Sequence, residues 1–169
     1  MLFLKITIYL CIFISCSLIG MFVSKKYSNR VNELKEFKNA LNIFKTKIKY
    51  TYDTLPEIFD EISRSLDSNI SSVFKVASEK MNLCSAGEAW ELALKMEDLS
   101  INSDDIDALK QLGKLLGKTD LDGQISRIDM TLEFLEKQII IAEKLKYKNE
   151  KMYRTLGMIM GIAIVIILV

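Results

Sequence analysis

Between residues 27 and 52 the chain reads YSNRVNELKEFKNALNIFKTKIKYTY. Its apolar positions Val31, Leu34, Phe37, Leu41, Phe44, Ile48 and Tyr52 recur at steps of three and four, which places them on one face of an α-helix. A strand would need alternation, and no segment of the chain offers a strand worth defending. The fold class that follows is all-α.

The same periodicity continues toward the C-terminus. Thr54-Leu55-Pro56-Glu57 restarts the chain: Thr54 can cap, Glu57 can close a capping box, and Pro56 sits in a first turn where its missing N–H costs nothing. The helix so begun presents Ile58, Phe59, Ile62 and Leu66. After a break near Asp67 to Asn69, another carries Val73, Phe74, Ala77 and Met81. Ser85-Ala86-Gly87-Glu88 is a second capping box, opening a helix with Ala89, Trp90, Ala93 and Leu94 inward. Trp90, the single tryptophan, reads as a core anchor, with a recognition role as the alternative.

A further helix starts at Ser103-Asp104-Asp105, shows Ile106, Leu109, Leu112, Leu115 and Leu116, and ends near Gly117. The acidic group Asp104, Asp105 and Asp107 is read as favourable charge at a helix N-terminus rather than as a cation site. From Thr119 or Asp120 the last element carries Leu121, Ile125, Ile128, Leu132, Leu135, Ile139 and Ala142 at alternating steps of four and three. That is a coiled-coil-like seam, and no proline interrupts it before the C-terminus.

Both ends of the chain are apolar. Ile6 to Val23 holds no charge and is, at about 18 residues, just long enough to span a bilayer, with Lys5 near enough the end to snorkel. The segment up to Val169 is shorter, so its burial is expected to begin near Met152, with Tyr153 and Arg154 at the interface. The organisation expected is an N-terminal transmembrane helix over 1–23, a cytoplasmic bundle of about six helices over 24–153, and a C-terminal transmembrane helix over 154–169. Lys25, Lys26, Arg30, Lys148, Lys151 and Arg154 set the orientation, because basic residues flanking a span stay on the cytosolic side. Cys16, Gly20 and Ser24 on the first segment, and Gly157 and Gly161 on the last, put small residues on one stripe where membrane helices can approach closely. That stripe admits a contact between the two anchors or between copies of the chain, a homo-oligomer. Phe13-Ile14-Ser15-Cys16 is a near miss to a lipoprotein cleavage box, so a processed lipoprotein is an alternative.

Composition narrows the chemistry. The chain has no histidine, and it lacks a Gly-rich phosphate loop, a nucleophile elbow and paired CxxC motifs, so an enzyme is not expected, nor any cofactor or metal. Lys plus Arg, 23, nearly balances Asp plus Glu, 22, so no bulk field favours nucleic acid and the partners expected are protein and the lipid bilayer. Of three cysteines, Cys11 and Cys16 fall in the first apolar run and Cys84 stands alone, which gives no disulfide framework.

The stretch Leu83-Cys84-Ser85-Ala86-Gly87-Glu88-Ala89-Trp90, with Leu116-Gly117-Lys118-Thr119-Asp120, Gln124, and the closing Lys148-Asn149-Glu150-Lys151-Met152-Tyr153-Arg154-Thr155-Leu156-Gly157, resembles the stage III sporulation protein AB family. Thr54-Leu55-Pro56-Glu57 is similar to that family's Thr-Pro-Leu-Pro-Glu region, shortened, and Arg127 stands where a histidine is expected. The resemblance implies a component of the transenvelope assembly between mother cell and forespore. It also implies a helical bundle like the cytoplasmic domains of type II secretion and type IV pilus platform proteins, and a place in the mother-cell membrane (the forespore outer membrane). The partners it implies are a secretion-type ATPase and other membrane proteins of the sporulation channel complex. On this reading the chain is a two-pass platform or adaptor, with the exposed faces of Arg30 to Lys49 and Ser85 to Lys95 as contact surfaces. A membrane-anchored signalling or sensor bundle is the competing class, although neither terminus has residues to build a sensing domain.

Overall fold

In the computed structural model of the chain, residues 2–117 and 120–168 are described, with backbone alone at 2–6, 8–13, 16, 17, 19, 20, 154, 165, 167 and 168. The described residues form α1 (Leu2–Tyr50), α2 (Leu55–Ser65), α3 (Asn69–Lys80), α4 (Ala86–Met96), α5 (Ser103–Gly113) and α6 (Leu121–Leu168), with no strand among them. The all-α expectation holds. The count of six helices also matches, the first and last of them running on into the two apolar terminal segments.

Local chemistry accounts for the boundaries. At the start of α2 the Thr54 N–H donates to the Glu57 carboxylate at 2.8 Å, which holds Glu57 below the usual glutamate range. In α4 the box is reciprocal: Ser85 N–H donates to Glu88 at 3.1 Å and Glu88 N–H to Ser85 Oγ at 3.4 Å. Ser68 caps α3 by accepting from Ile70 N–H at 3.2 Å. Asp105 closes the start of α5, its carboxylate accepting from Asn102 N–H at 3.0 Å. Gly117 takes φ +71 after α5, a left-handed conformation that disfavours any side chain. Thr119, one proposed start for the last helix, lies outside the described residues; Asp120 precedes α6 and accepts from Gly123 N–H at 3.2 Å.

The chain divides into two compact units. One comprises residues 32–140; the other combines 1–31 with 141–169. In the first, α2 packs on α3, α3 on α4 and α4 on α5. Its core is aromatic: Phe37 and Phe44 from α1, Phe59 from α2, Phe74 from α3 and Trp90 from α4 are all buried. Phe59 lies 5.1 Å from Phe44, 5.1 Å from Phe74 and 5.5 Å from Trp90 between ring centroids, within the range where edge-to-face pairs add stability to area burial. Salt bridges Lys38–Glu136 and Lys45–Asp129 join α1 to α6 within this unit; their numbers run in opposite directions, so the two helices are antiparallel here.

Three stripe expectations need correction. Tyr52, placed on the apolar face, is exposed, because α1 ends at Tyr50. Leu121 is exposed and Ile125 and Leu132 are half-buried, so the seam on α6 is buried only at Ile128, Leu135, Ile139 and Ala142. Met81 follows the last turn of α3 and is half-buried, whereas Ile70 at the start of that helix is buried.

The membrane spans expected over 1–23 and 154–169 gain no support here: among the described residues no helix is long and apolar enough to cross a membrane. Most of the uncharged run from Ile6 to Gly20 lies outside the residues whose side chains are described. The backbone is helical over 2–23 and 154–168, each continuous with a charged stretch of α1 or α6.

Candidate functional site

No group of histidine, cysteine, aspartate or glutamate able to hold a metal occurs among the described residues. The candidate features singled out by the sequence are surfaces, and the packing that holds them.

Trp90 is the centre of the 32–140 unit. Its indole Nε1 donates to Leu109 O on α5 at 2.7 Å, so its one polar group is satisfied where it is buried. Two glycines let α4 and α5 meet. A Cβ on Gly113 would lie 2.4 Å from Trp90 Cδ1, and one on Gly87 would lie 2.7 Å from Gly113 O. The tryptophan is thus a core anchor, seated against a helix that can approach because it carries no side chain at that point.

The loop after α4 is tied to α1. Glu33, buried, accepts from Ser100 N–H at 2.6 Å. Burial raises its carboxyl above the ordinary glutamate range; the Ser100 bond opposes this, while the negative charges of Glu36 and Asp98 add to it. This contact joins residues far apart in sequence, and no spacing rule signals it. Arg127, where a histidine was expected, donates from Nη2 to Gln111 at 2.8 Å and so links α6 to α5.

The two proposed contact faces are real exposed stripes. On α1, Lys35, Asn39, Asn42, Thr46 and Lys49 are exposed at steps of three and four. On α4, Glu88, Leu92, Lys95 and Met96 are exposed, and Glu91 pairs with Lys95 at 2.8 Å, which lowers the Glu91 carboxyl. Sequence spacing assigned the inner face of α4 correctly but did not single out Leu92 and Met96, which stand 44% and 62% exposed. Their i, i+4 spacing, falling outside the Ala89, Trp90, Ala93, Leu94 stripe, is the signal that would have found them.

The unit of 1–31 and 141–169 reverses the usual pattern of burial. Ser24, Ala142, Gly157 and Gly161 are buried, together with Arg30 and Val31. Ile14, Leu18, Met21, Leu156, Met158, Ile159, Met160, Ile162 and Ile166 are exposed, as is Phe22 at 80%. The Tyr27 and Tyr153 rings stack with centroids 6.0 Å apart. Of the small residues singled out for helix packing, Ser24, Gly157 and Gly161 are therefore inward, while Cys16 and Gly20 lie outside the described side chains. Of the basic residues, Lys25, Lys26, Lys148 and Lys151 are exposed, Arg154 lies outside the described side chains, and Arg30 is buried. Arg30 neighbours Val31 on the inward side of α1.

The profile of a family described as stage III sporulation protein AB matches residues 5–169. Stage III sporulation protein AB of Bacillus subtilis (strain 168) is 30% identical over 153 residues, covering 88% of this chain and 90% of that protein. A solved structure of a stage III sporulation protein AB (SpoIIIAB) superimposes with a TM-score of 0.67 at 27% identity, covering 71% of this chain and 98% of that one.

Proposed function

This chain belongs to the stage III sporulation protein AB family, and from that premise we propose that it is a non-enzymatic membrane platform of a secretion-like channel between mother cell and forespore. Its terminal helix segments anchor it in the mother-cell membrane, and the 32–140 bundle, on the cytoplasmic side, docks a secretion-type ATPase. Channel partners contact the anchors.

One observation carries the reading: the 1–31 and 141–169 unit buries Ser24, Gly157 and Gly161 while exposing Leu18, Phe22, Ile159 and Ile162. In water that arrangement leaves a large apolar surface uncovered, whereas in lipid it is favourable, because tails solvate the large side chains and small residues let helices meet. The uncharged run Ile6 to Val23 supplies the length that a span needs. The exposed lysines Lys25, Lys26, Lys148 and Lys151 favour a bundle on the cytosolic side.

For docking, the outer stripes of α1 and α4 are the surfaces of choice, since Leu92 and Met96 offer an apolar centre ringed by Glu88, Glu91 and Lys95. The test uses full-length protein in native membranes. Wild type retains a co-expressed secretion-type ATPase on alkali-resistant membranes, and a Leu92→Asp, Met96→Asp variant releases it while staying in the membrane itself. An ATPase retained equally by both moves docking away from α4; a chain stripped from the membrane by alkali removes the anchoring.

A further inference from the structure

Within the unit of 1–31 and 141–169, α6 carries an open groove of about 440 Å³ lined by Tyr147, Lys148, Lys151, Met152, Thr155 and Leu156. Steps of three and four put these side chains on one helix face. The face is graded along the axis. Two exposed ammonium groups and a phenol come first, then Met152, then the exposed Thr155 hydroxyl beside Leu156. Lys144, also exposed, extends the basic side by one turn, whereas the neighbouring acid Glu150 stands about 100° or more around the helix from these lysines, and Glu143 stands about 80° from Lys151 at two turns' remove and farther from the other two.

We propose that this groove binds the phosphodiester headgroup of an anionic phospholipid. Lys148 and Lys151 face the phosphate, the Thr155 hydroxyl donates to one of its oxygens, and the first part of an acyl chain lies along Met152 and Leu156. The proposal rests on the reading that this unit is embedded in a bilayer, and it goes further by assigning a ligand class to particular residues. A soluble acidic peptide would satisfy the lysines but leave Met152 and Leu156 wet; a lipid satisfies both halves. A second groove of the same unit, lined by Leu18, Met21, Phe22 and Val23 with Lys25 at its edge, offers one cation and no hydroxyl, so it fits an acyl chain without a specific headgroup.

The test is native mass spectrometry of the full-length chain released from detergent micelles, titrated with phosphatidylglycerol, with phosphatidylcholine and with inorganic phosphate. Wild type is expected to retain phosphatidylglycerol about 25-fold better than phosphatidylcholine. That ratio is ~2 kcal/mol at ~1.4 kcal/mol per decade, as two lysines at an anionic surface provide. Lys148→Gln with Lys151→Gln should bring the ratio close to one without changing phosphatidylcholine retention, and Lys75→Gln, on α3, should leave it unchanged. Equal retention of the two lipids by wild type, or an undiminished ratio in the double variant, overturns the proposal. Displacement of the lipid by millimolar inorganic phosphate makes this a phosphate site and overturns the lipid assignment. Alkaline extraction of the same protein from membranes separates the layers: a chain that resists extraction but shows no headgroup preference refutes the groove alone, and a chain that washes off refutes the anchoring beneath it.

Discussion

The 32–140 unit and the unit of 1–31 with 141–169 are built from the same two long helices by opposite rules. In the first, Phe37, Phe44 and Trp90 point inward, and ion pairs such as Lys38–Glu136, Lys45–Asp129 and Lys47–Glu61 lie at the surface. In the second, glycine and serine point inward and phenylalanine, isoleucine and methionine point outward. On the proposed membrane reading, one helical period encodes two solvents. In water the large apolar residues must find each other, since each such burial is worth ~1.5–3 kcal/mol; in lipid that drive is absent and close backbone approach takes over.

The contrast breaks most easily at Trp90. Trp90→Ala removes the side chain that meets Phe37, Phe59 and Phe74 and leaves Leu109 O without its donor, so it should cost ~3–5 kcal/mol of bundle stability. Urea unfolding of the full chain in mild detergent, followed by helical circular dichroism, measures this; membrane retention should not change. Phe22→Ala is the counterpart in the other unit. It should leave the unfolding midpoint of the bundle within error, since Phe22 is already exposed.

Gly113→Ala comes next. Its Cβ would overlap the Trp90 ring, so α4 and α5 must separate, at ~1–3 kcal/mol. A tryptophan emission shift to longer wavelength should accompany the loss, because the indole gains access to water. Ser85→Ala, which removes the cap of α4, should cost ~1 kcal/mol in the same assay, since the Glu88 N–H loses the Ser85 Oγ acceptor while the residue 85 N–H can still donate to the Glu88 carboxylate.

The smallest effect is a dependence on pH. Because the folded state raises the Glu33 carboxyl, the native chain holds that proton where the unfolded chain has released it. Its contribution is fully present below the ordinary glutamate value and is lost as pH rises through the raised one. Glu57 has the opposite sign: its carboxyl is lowered, so its contribution is present above the ordinary value and is lost as pH falls through the depressed one. Unfolding midpoints measured across the acid range should therefore lose their decline on the upper side in Glu33→Gln, and part of their low-pH fall in Glu57→Gln.

Much of the bundle was legible in the sequence because its signals are local. Thr54 with Glu57 and Ser85 with Glu88 mark helix starts through groups three residues apart, and the inner stripe of α4 follows from 3.6-residue geometry alone. Where a stripe runs past the end of a helix or past its neighbours, periodicity overreaches, as at Tyr52 and Leu121. Glu33 with Ser100, Arg127 with Gln111, and Gly87 against Gly113 depend on which helices become neighbours, which one-dimensional spacing does not carry. The outward Leu92 and Met96 were hidden for a related reason: an apolar residue off the main stripe reads as noise until the stripe is known to be filled. The burial of Arg30 was likewise hidden, since counting basic residues near an apolar run does not say which face of the helix each one occupies.

On the proposed reading, side chains outward in the 1–31 and 141–169 unit are covered by lipid, while those outward in the bundle are covered by water. Thiol labelling of permeabilised cells tests it directly. Two reporters, Phe22→Cys and Lys75→Cys, are placed singly in a chain whose Cys11, Cys16 and Cys84 have been replaced by alanine; both positions are exposed on the protein surface. A water-soluble maleimide should modify the Lys75→Cys protein at once and the Phe22→Cys protein only after detergent dissolves the membrane. Equal labelling of the two before detergent would mean that Phe22 faces water, and would contradict the account.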